Sequence, residues 1–297
     1  MNVAKPRRSM LYMPGNNPNM LQNCCCLGAD GLLLDLEDAV SAQHKDEARR
    51  LVSYFLRKLD FGNAEVTVRI NGTDTAWWRD DLKEIIPARP HAVRLPKCEE
   101  PSDIRALDLA ISEIEETEGI PSGSIEIHAM IETASAVERV SEIARACRRV
   151  SAITLGGHDL AADIGIRRTK EGVEILYARS RVVIAAKAAG IACFDTVFTD
   201  INDVDGLHKE ASLAAQLGFT GKAAIHPSQV RVINDAFMPE KKVISHAENV
   251  IAAAKEAKIK GIGAYSVDGN MVDGPIVRQA IAVLAQAGIF CDPTEVF

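Results

Sequence analysis

The sequence lacks the long apolar runs that mark membrane proteins and signal peptides. Hydrophobic stretches such as VVIAAKAAGIACF and CFDTVF are interrupted by charges well short of the roughly 20 residues that a membrane span needs. The basic start MNVAKPRRS is followed by no apolar segment of the kind that a signal peptide carries. We therefore expect a soluble, cytoplasmic protein that does not enter a membrane.

Paired cysteine motifs and blocks of like charge are also absent. The seven cysteines show no CxxC spacing, and three of them are consecutive at Cys24, Cys25 and Cys26, which predicts buried free thiols rather than a metal site or disulfides. The net charge of −7 is spread along the chain, which argues against nucleic acid and anionic membranes as partners. An anionic substrate stays open, because one basic residue or a metal can reverse the field inside a cleft.

What the sequence does contain is a regular alternation of short β-rich runs and amphipathic helical patterns, the spacing of βα units. Eight such repeats over about 235 residues predict a (β/α)8 TIM barrel in residues 1–235. A doubly wound open sheet is the alternative, but neither GxGxxG nor GxxxxGK[ST] follows the first run. The eight predicted strands are SMLYMP, GLLLDLED, EVTVRIN, AVRLPK, IEIHAMIET, SAITLGG, ACFDTVF and GKAAIHP.

Residues 236–297 break this alternation. KKVISHAENVIAAAKEAKIK predicts a long amphipathic helix, GIGAYSVDGNMVDG is typical of turns, and PIVRQAIAVLAQAG predicts a closing helix with Pro275 in its first turn. No shift in composition marks an independent domain. We expect a C-terminal helical extension that packs as a lid on its own barrel or on that of a neighbouring subunit.

Ionisable residues occupy the predicted C-terminal ends of seven of the eight strands, which is where TIM barrels carry their chemistry. Such ends converge on one mouth of the barrel, so we expect these side chains to lie close together. They are Asp35, Glu37, Asp38, Arg69, Lys97, Glu132, Asp159, Asp195 and His226.

A divalent cation explains this crowding of acids. Neighbouring carboxylates repel and raise each other's pKa unless a cation neutralises them, and their oxygens suit Mg²⁺, with Mn²⁺ as the alternative ion. Mg²⁺ takes only one or two protein carboxylates, so we predict Glu132 and Asp159, on neighbouring strands, as its ligands. Asp35, Glu37 and Asp38 are then predicted to hold waters or orient neighbours around them.

Several residues leave alternatives open. On a strand, His158 points away from the residue that follows it, unless a turn re-aims it. His226 suits catalysis and a backbone hydrogen bond equally. Asp195 and Lys97 could form a salt bridge at the rim. Lys97 or Lys222 as a Schiff-base nucleophile would make the protein a metal-free aldolase, but the acid pair would then have no role.

Nine motifs in order resemble the HpcH/HpaI aldolase and citrate lyase family, in particular its citrate lyase β subunits and its malyl-, β-methylmalyl- and citramalyl-thioester lyases. The resemblance runs from about Arg8 to about Ala287. It is carried by RRSMLYMPGNNPNM, LLLDLEDAV, VRIN, VRLPK, MIETASAV, TLGGHDLAADIG, CFDTVFTD, GFTGKAAIHPSQV and DGNMVDGPIV.

The resemblance implies a (β/α)8 barrel with a C-terminal helical lid, dependence on Mg²⁺, and a homotrimer or homohexamer. By resemblance, Glu132 and Asp159 hold the metal, and Glu132 also contacts the substrate. Arg69 faces the substrate oxygen that changes charge. Asp273 enters a neighbouring subunit's site as acid/base. The sequence departs from the family at His158, where its citrate lyase β subunits usually carry an acid.

The activity that the resemblance implies is that of a carbon–carbon lyase, which cleaves a citryl thioester to oxaloacetate and an acetyl thioester. The thioester is carried by CoA or by the CoA-like arm of an acyl-carrier subunit, and a separate α subunit is a further partner. A freestanding malyl- or citramalyl-thioester lyase and a non-catalytic barrel subunit are the alternatives. A phosphoenolpyruvate mutase or isocitrate lyase is less favoured, because no KKCGH-like segment is present.

Overall fold

The computed structural model describes residues 6–296, and eight parallel strands within them close into a barrel. Each strand pairs with the next along the chain, and the eighth pairs with the first, which confirms the predicted TIM barrel and excludes the open sheet. The strands are β1 Ser9–Pro14, β2 Gly31–Asp35, β3 Glu65–Arg69, β4 Ala92–Leu95, β5 Glu126–Ile131, β6 Val150–Leu155, β7 Ala192–Asp195 and β8 Gly221–Ala224.

Helices follow the strands around the barrel. Among the described helices, none combines the length and apolar character that a membrane crossing requires. They are α1 Pro18–Leu21, α2 Lys45–Lys58, α3 Trp78–Ile85, α4 Pro101–Thr117, α5 Ala134–Ile143, α6 Gly157–Asp163, α7 Leu176–Ala189, α8 Val204–Leu217, α9 Pro227–Ala236, α10 Lys241–Lys260 and α11 Gly274–Gln286.

Local sequence accounts for these elements. Strands β2, β4 and β8 are buried at every residue, as expected of parallel strands covered on both faces. Helix α4 begins with Pro101, and the Glu100 and Asp103 side chains form a capping box around its first turn. Helix α7 ends at Ala189 and is capped by Gly190, whose φ of 72° is the left-handed conformation that closes a helix and favours glycine.

The chain forms two compact units, Arg7–Asn234 and, for the C-terminal part, residues 235–296. In the second unit, α10 and α11 confirm the two predicted helices, but the segment expected to be turns contains a short hairpin of β9 Tyr265–Val267 and β10 Asn270–Val272. Its two-residue turn is Asp268–Gly269, with φ of 50° and 81°, the Asp-Gly signal of a tight hairpin. That this unit acts as a lid on a neighbouring subunit stays a prediction.

The cysteines are all free, as predicted. The expectation of burial holds for three of them, is wrong for the exposed Cys25 and Cys26, and is met only in part by the half-buried Cys147 and Cys291. The buried three are Cys24, Cys98 and Cys193. The three consecutive cysteines form a 3₁₀ turn, which can direct only one of three successive side chains inward.

Candidate active site

Polar residues gather beyond the C-terminal ends of the barrel strands. Asp35 and Arg69 are the last residues of β2 and β3, Glu132 directly follows β5, and Lys97 comes two residues after β4. The prediction that Asp159 ends the sixth strand is wrong in detail, because it lies in the first turn of α6. The glycine pair after β6 ends the strand early and begins this helix.

Arg69 is held in a fixed orientation by buried carboxylates. Its Nε and Nη2 atoms each donate to Asp35 at 2.6 Å, and its Nη1 atom lies 2.9 Å from Oε2 of Glu37. Burial disfavours the charged guanidinium, but the hydrogen bonds and charge of Asp35 outweigh it and raise the pKa of Arg69. Asp35 also accepts the backbone N–H groups of Glu37 and Ala39, so its contacts orient Arg69 and the loop after β2.

Lys97 connects two of the acids. Its Nζ atom donates to Glu37 at 2.8 Å, and its backbone N–H donates to Oε2 of Glu132 at 2.6 Å. Both contacts come from a residue with φ of 49°, a conformation that costs a non-glycine residue about 1–3 kcal/mol. Burial is the largest influence on the pKa of Glu37 and raises it, against the opposing charges of Arg69 and Lys97. The exposed Asp38 lies 3.8 Å from both Arg69 and Lys97.

Glu132 is a buried carboxylate that forms no ion pair with a described residue. It is 2% exposed, and burial raises its pKa to about 7, with further increases from the charges of Asp159 and Glu37. The backbone N–H of Lys97 opposes this shift without cancelling it. A carboxylate in this position favours either a proton or a cation beside it.

Glu132 and Asp159 line the same two cavities. The outer cavity, at the mouth, has a volume of about 610 Å³, and an inner one of about 180 Å³ extends into the barrel. The outer lining is strongly acidic, with Lys97 as its one basic residue. It consists of Thr73, Asp74, Lys97, Glu99, Glu100, Asp103, Glu132, Thr133, Asp159 and Asp163.

Two glycines allow the loop after β6 to approach Glu132. A Cβ atom on Gly156 would overlap the Glu132 side chain, and a Cβ on Gly157 would lie 2.8 Å from Oγ1 of Thr196. The Gly157 N–H donates to that same oxygen at 3.0 Å. The GG pair therefore places the first turn of α6, with Asp159, against the strand ends.

The donor set suits a hard divalent cation such as Mg²⁺ or Mn²⁺ better than a soft metal that prefers sulfur or nitrogen ligands. No group of three or more His, Cys, Asp or Glu side chains with metal-binding geometry occurs in residues 6–296. Two carboxylates beside a cavity are the usual protein contribution to a Mg²⁺ site, where water and substrate supply the other oxygens. Glu132 and Asp159 could thus hold such an ion.

The inner cavity contains polar side chains that the sequence analysis missed. Tyr12 and Thr154 face it from within β1 and β6, and Thr196 follows β7. The available signal was a polar residue inside an otherwise apolar strand, in SMLYMP and SAITLGG. The cavity is lined by Tyr12, Arg69, Met130, Glu132, Thr154, Leu155, Gly156, Gly157, His158, Asp159, Thr196, Val197, Ala223 and Ile225.

Asp195 does not join the mouth. Its carboxylate is completely buried and accepts hydrogen bonds from Arg179 at 3.0 and 3.1 Å and from Lys222 at 2.9 Å. The proposed rim salt bridge between Asp195 and Lys97 is therefore wrong. Lys222 also donates to Glu210 and to the Thr196 carbonyl, both at 2.6 Å. A buried ammonium with three acceptors is a poor Schiff-base nucleophile, because that chemistry requires a neutral, accessible amine.

The two histidines near the strand ends have different surroundings. Nδ1 of His226 accepts the backbone N–H of Ser228 at 3.2 Å and lies 2.7 Å from its hydroxyl, so His226 organises the start of α9. His158 is exposed and lines the inner cavity together with Asp159. Adjacent residues on a helical turn lie about 100° apart instead of on opposite faces, which is why both reach the same space.

Comparison with known proteins gives concordant matches. Residues 8–227 match the HpcH/HpaI aldolase/citrate lyase family. The citrate lyase subunit beta of Leuconostoc mesenteroides subsp. cremoris is 44% identical over 97% of this chain and 95% of that protein. The mitochondrial citramalyl-CoA lyase of Mus musculus is 35% identical over 95% of this chain and 86% of that protein.

Solved structures agree with these matches. The protein CitE of Mycobacterium tuberculosis, in complex with magnesium, acetoacetate and coenzyme A, superposes with a TM-score of 0.77 at 31% identity, covering 95% of this chain and 98% of that one. A citrate lyase beta subunit from M. tuberculosis, complexed with oxaloacetate and magnesium, gives a TM-score of 0.67 at 31% identity and covers 80% of this chain and 100% of that one. The chain therefore belongs to the HpcH/HpaI aldolase/citrate lyase family.

Proposed function

We propose that this protein is a Mg²⁺-dependent carbon–carbon lyase that cleaves a citryl thioester to oxaloacetate and an acetyl thioester, as the β subunit of a citrate lyase. The observation that carries the proposal is the pair Glu132 and Asp159 around a cavity that Arg69 also lines. Relatives support this substrate, since a citrate lyase subunit beta is 44% identical to the chain and a citramalyl-CoA lyase 35%.

Glu132 and Asp159 would hold the metal ion, Mg²⁺ or alternatively Mn²⁺. They fit such an ion because Glu132 is a buried carboxylate with no ion pair in the described chain, and because Asp159 faces the same cavities. When bound, the ion supplies Lewis-acid polarisation of substrate hydroxyl and carbonyl oxygens.

The reaction breaks the bond between the carbon that bears the hydroxyl and the methylene carbon next to the thioester carbonyl. The hydroxyl loses its proton, its oxygen becomes the ketone oxygen of oxaloacetate, and the electron pair of the broken bond moves to the acetyl thioester as an enolate. Arg69 stabilises the negative oxygen with the N–H groups that its carboxylate partners leave free, since Asp35 accepts two of its five N–H groups and Glu37 lies 2.9 Å from Nη1. Removing one donor of this kind costs about 3 kcal/mol of transition-state stabilisation.

Asp273 of a neighbouring subunit would protonate the enolate carbon, a step in which a general acid contributes about 10²–10⁴-fold. Within its own chain Asp273 caps α11 by accepting the Ile276 N–H at 3.4 Å. This assignment requires a homo-oligomer, which we propose is a trimer or hexamer. The further partners are a citrate lyase α subunit and an acyl-carrier subunit, whose CoA-like arm or CoA itself bears the thioester.

A panel of thioesters tests the proposal. Purified protein with Mg²⁺ is assayed against citryl-, citramalyl- and malyl-CoA and against a citryl thioester of the acyl-carrier arm. We expect oxaloacetate release from a citryl thioester with a kcat/KM at least about tenfold above the others, and its loss in chelator. Faster release of pyruvate or glyoxylate would assign a freestanding citramalyl- or malyl-thioester lyase. No release from any thioester would leave a non-catalytic barrel subunit.

A further inference from the structure

The inner cavity has a polar floor below the proposed metal ligands. Thr154 pairs with Met130 across β5 and β6, which places it two residues before Glu132 along the barrel. Two residues of strand span about 6–7 Å, comparable to the length of a four-carbon dicarboxylic acid. Ala152, which faces the same way as Thr154, packs with Phe194 in the barrel interior, so the Thr154 side chain also points inward.

The Thr154 hydroxyl is buried without a partner among residues 6–296. The residue is 1% exposed, lines the inner cavity, and its Oγ1 atom has no hydrogen bond to a described residue. Leaving a buried hydroxyl unpaired is unfavourable, whereas valine would fill the same space without that penalty. An unpaired hydroxyl at the wall of a cavity is accounted for by a ligand that pairs with it.

A second hydroxyl lines the same cavity, and a buried positive charge lies behind that hydroxyl. Tyr12 lines the same cavity, and its hydroxyl oxygen accepts a hydrogen bond from Nη1 of Arg94 at 2.8 Å. Arg94 is completely buried and forms no ion pair with any carboxylate in residues 6–296. Its other hydrogen-bond partner is His128, whose pKa is lowered well below its usual value by burial and by Arg94 and Arg7, so that ring is neutral.

These observations specify the ligand chemistry. Two hydroxyl donors, one of them backed by an uncompensated guanidinium, favour an anionic oxygen at the cavity floor. In a citryl thioester the hydroxyl-bearing carbon carries a CH₂COO⁻ group, where a citramalyl thioester carries a methyl and a malyl thioester a hydrogen. The floor is therefore suited to the group that distinguishes these substrates.

We propose that Thr154 is a specificity-determining residue whose hydroxyl, together with that of Tyr12, binds the distal carboxylate of the oxo-acid half of the substrate. The inference rests on the proposed function and deepens it, because it assigns the preference for a dicarboxylic oxo acid to named side chains. One hydrogen bond to a charged group discriminates by about 10- to 100-fold.

Thr154→Val tests this by removing the hydroxyl while keeping the shape of the side chain. We expect the ratio of kcat/KM for citryl over citramalyl thioester to fall about 10- to 100-fold in Thr154→Val. Tyr12→Phe should shift the ratio in the same direction, and Thr154→Ser should restore it. Ser151→Ala is the matched control, since it removes another hydroxyl without a partner in the described chain, from the opposite face of β6. A ratio that stays constant in Thr154→Val would overturn the inference.

Binding without turnover separates this inference from the proposed function. Malate and lactate are stable hydroxy acids that differ as oxaloacetate and pyruvate do, by CH₂COO⁻ against methyl. Calorimetry with Mg²⁺ present should show tighter binding of malate in the wild type and a loss of that preference in Thr154→Val. If no thioester is cleaved but this preference is seen and then lost, the proposed function fails and the Thr154 assignment stands. If citryl thioester is cleaved but malate and lactate bind alike in the wild type, the assignment fails alone.

Discussion

Individual carboxylates in the candidate site are buried for different reasons. Asp35 is neutralised by a two-point contact with Arg69, whereas Glu132 has no ion pair among the described residues and has its pKa raised to about 7, chiefly by burial. When a buried carboxylate such as Glu132 is ionised without a partner, it destabilises the metal-free fold but strengthens the binding of a cation. The position of Glu132 is therefore explained by function rather than by stability.

Glu132→Gln should abolish stabilisation by Mg²⁺. For the wild type, Mg²⁺ at a hundred times its Kd should raise the free energy of unfolding by about 2.7 kcal/mol, because the ion binds only the folded state. Glutamine offers a neutral oxygen in place of the charged ligand, so thermal unfolding of the variant should respond little to Mg²⁺. Glu99→Gln, on the wall of the same outer cavity, is the control and should respond like the wild type. Equal responses from both variants would contradict the metal assignment.

Glu132→Gln should also change how the stability of the metal-free protein depends on pH. Because the pKa of Glu132 in the folded state, about 7, lies above its ordinary value of 4.5, the folded protein binds the proton more tightly than the unfolded chain does. In chelator, wild-type stability should therefore decrease as pH rises from 4.5 through 7, and Glu132→Gln should lack this decrease. Denaturant unfolding at pH 5 and pH 8 measures the difference.

Between elements, buried ion pairs join strands to the helices that cover them. Asp195 at the end of β7 and Lys222 in β8 form a network with Arg179 of α7 and Glu210 of α8. Lys222 also donates to the Thr196 carbonyl, and the Thr196 hydroxyl accepts the N–H of the glycine that opens α6. The network thus lies behind the loop that carries Asp159.

Asp195→Asn should destabilise the barrel by about 3–5 kcal/mol at pH 7, because it leaves Arg179 and Lys222 sharing only Glu210. Burial alone would raise the pKa of Asp195, but the charges of Lys222 and Arg179 outweigh it and hold the pKa below its ordinary 3.8. Asp195 therefore contributes fully to the free energy of unfolding above pH 3.8, its ordinary pKa. This contribution is lost as the pH falls through the lower pKa that Asp195 has in the folded protein. Urea unfolding at pH 7 and below pH 4 should show the difference shrinking in acid.

An exposed pair provides the matched control for this network. Asp80→Asn removes the partner of Lys83 on the surface of α3, where such a pair contributes less than about 1 kcal/mol. If the Asp195 variant lost no more stability than the Asp80 variant, the network would be incidental to the fold.

Secondary-structure elements were largely predictable from the sequence, and contacts were not. The eight strands begin within one residue of their predicted starts, because continuous apolar runs follow turn residues there. Their ends were placed two or three residues too late in most strands, since apolar sequence continues after strand pairing stops, as at Pro96, which has no N–H to donate. Glu132 and Arg69 could be singled out because polar residues at strand ends are visible in sequence.

Other features of the site depend on tertiary structure. The partner of Asp195 is Lys222, not Lys97, because Asp195 faces the helices that cover the barrel, and strand position alone does not reveal which face a terminal side chain takes. Lys97 combines a positive φ with simultaneous contacts to Glu37 and Glu132. Both contacts join residues that are far apart in sequence, 35 and 60 residues, so a local sequence pattern could not predict them.

For the whole molecule, the proposed mechanism requires more than one copy of the chain. Glu132 belongs to the unit Arg7–Asn234, and Asp273 to the C-terminal unit, where it caps α11. If Asp273 acts in a neighbouring copy, each active site combines residues from two chains. Asparagine caps a helix as well as aspartate does, so Asp273→Asn removes the acid while keeping the cap.

Mixing two inactive proteins tests this arrangement. Glu132→Gln and Asp273→Asn should each lack activity as homo-oligomers, yet a random 1:1 mixture should recover about a quarter of the wild-type rate, and mixed trimers freed of homo-oligomers about a third, the share of sites that take both residues from competent chains. Differently tagged chains purified in tandem verify that the oligomers are mixed, and thioester cleavage is then measured on them. Mixed trimers without activity would mean that Asp273 does not act across subunits, because a three-membered ring that contains both variants always has one site whose Glu132 and Asp273 both come from competent chains.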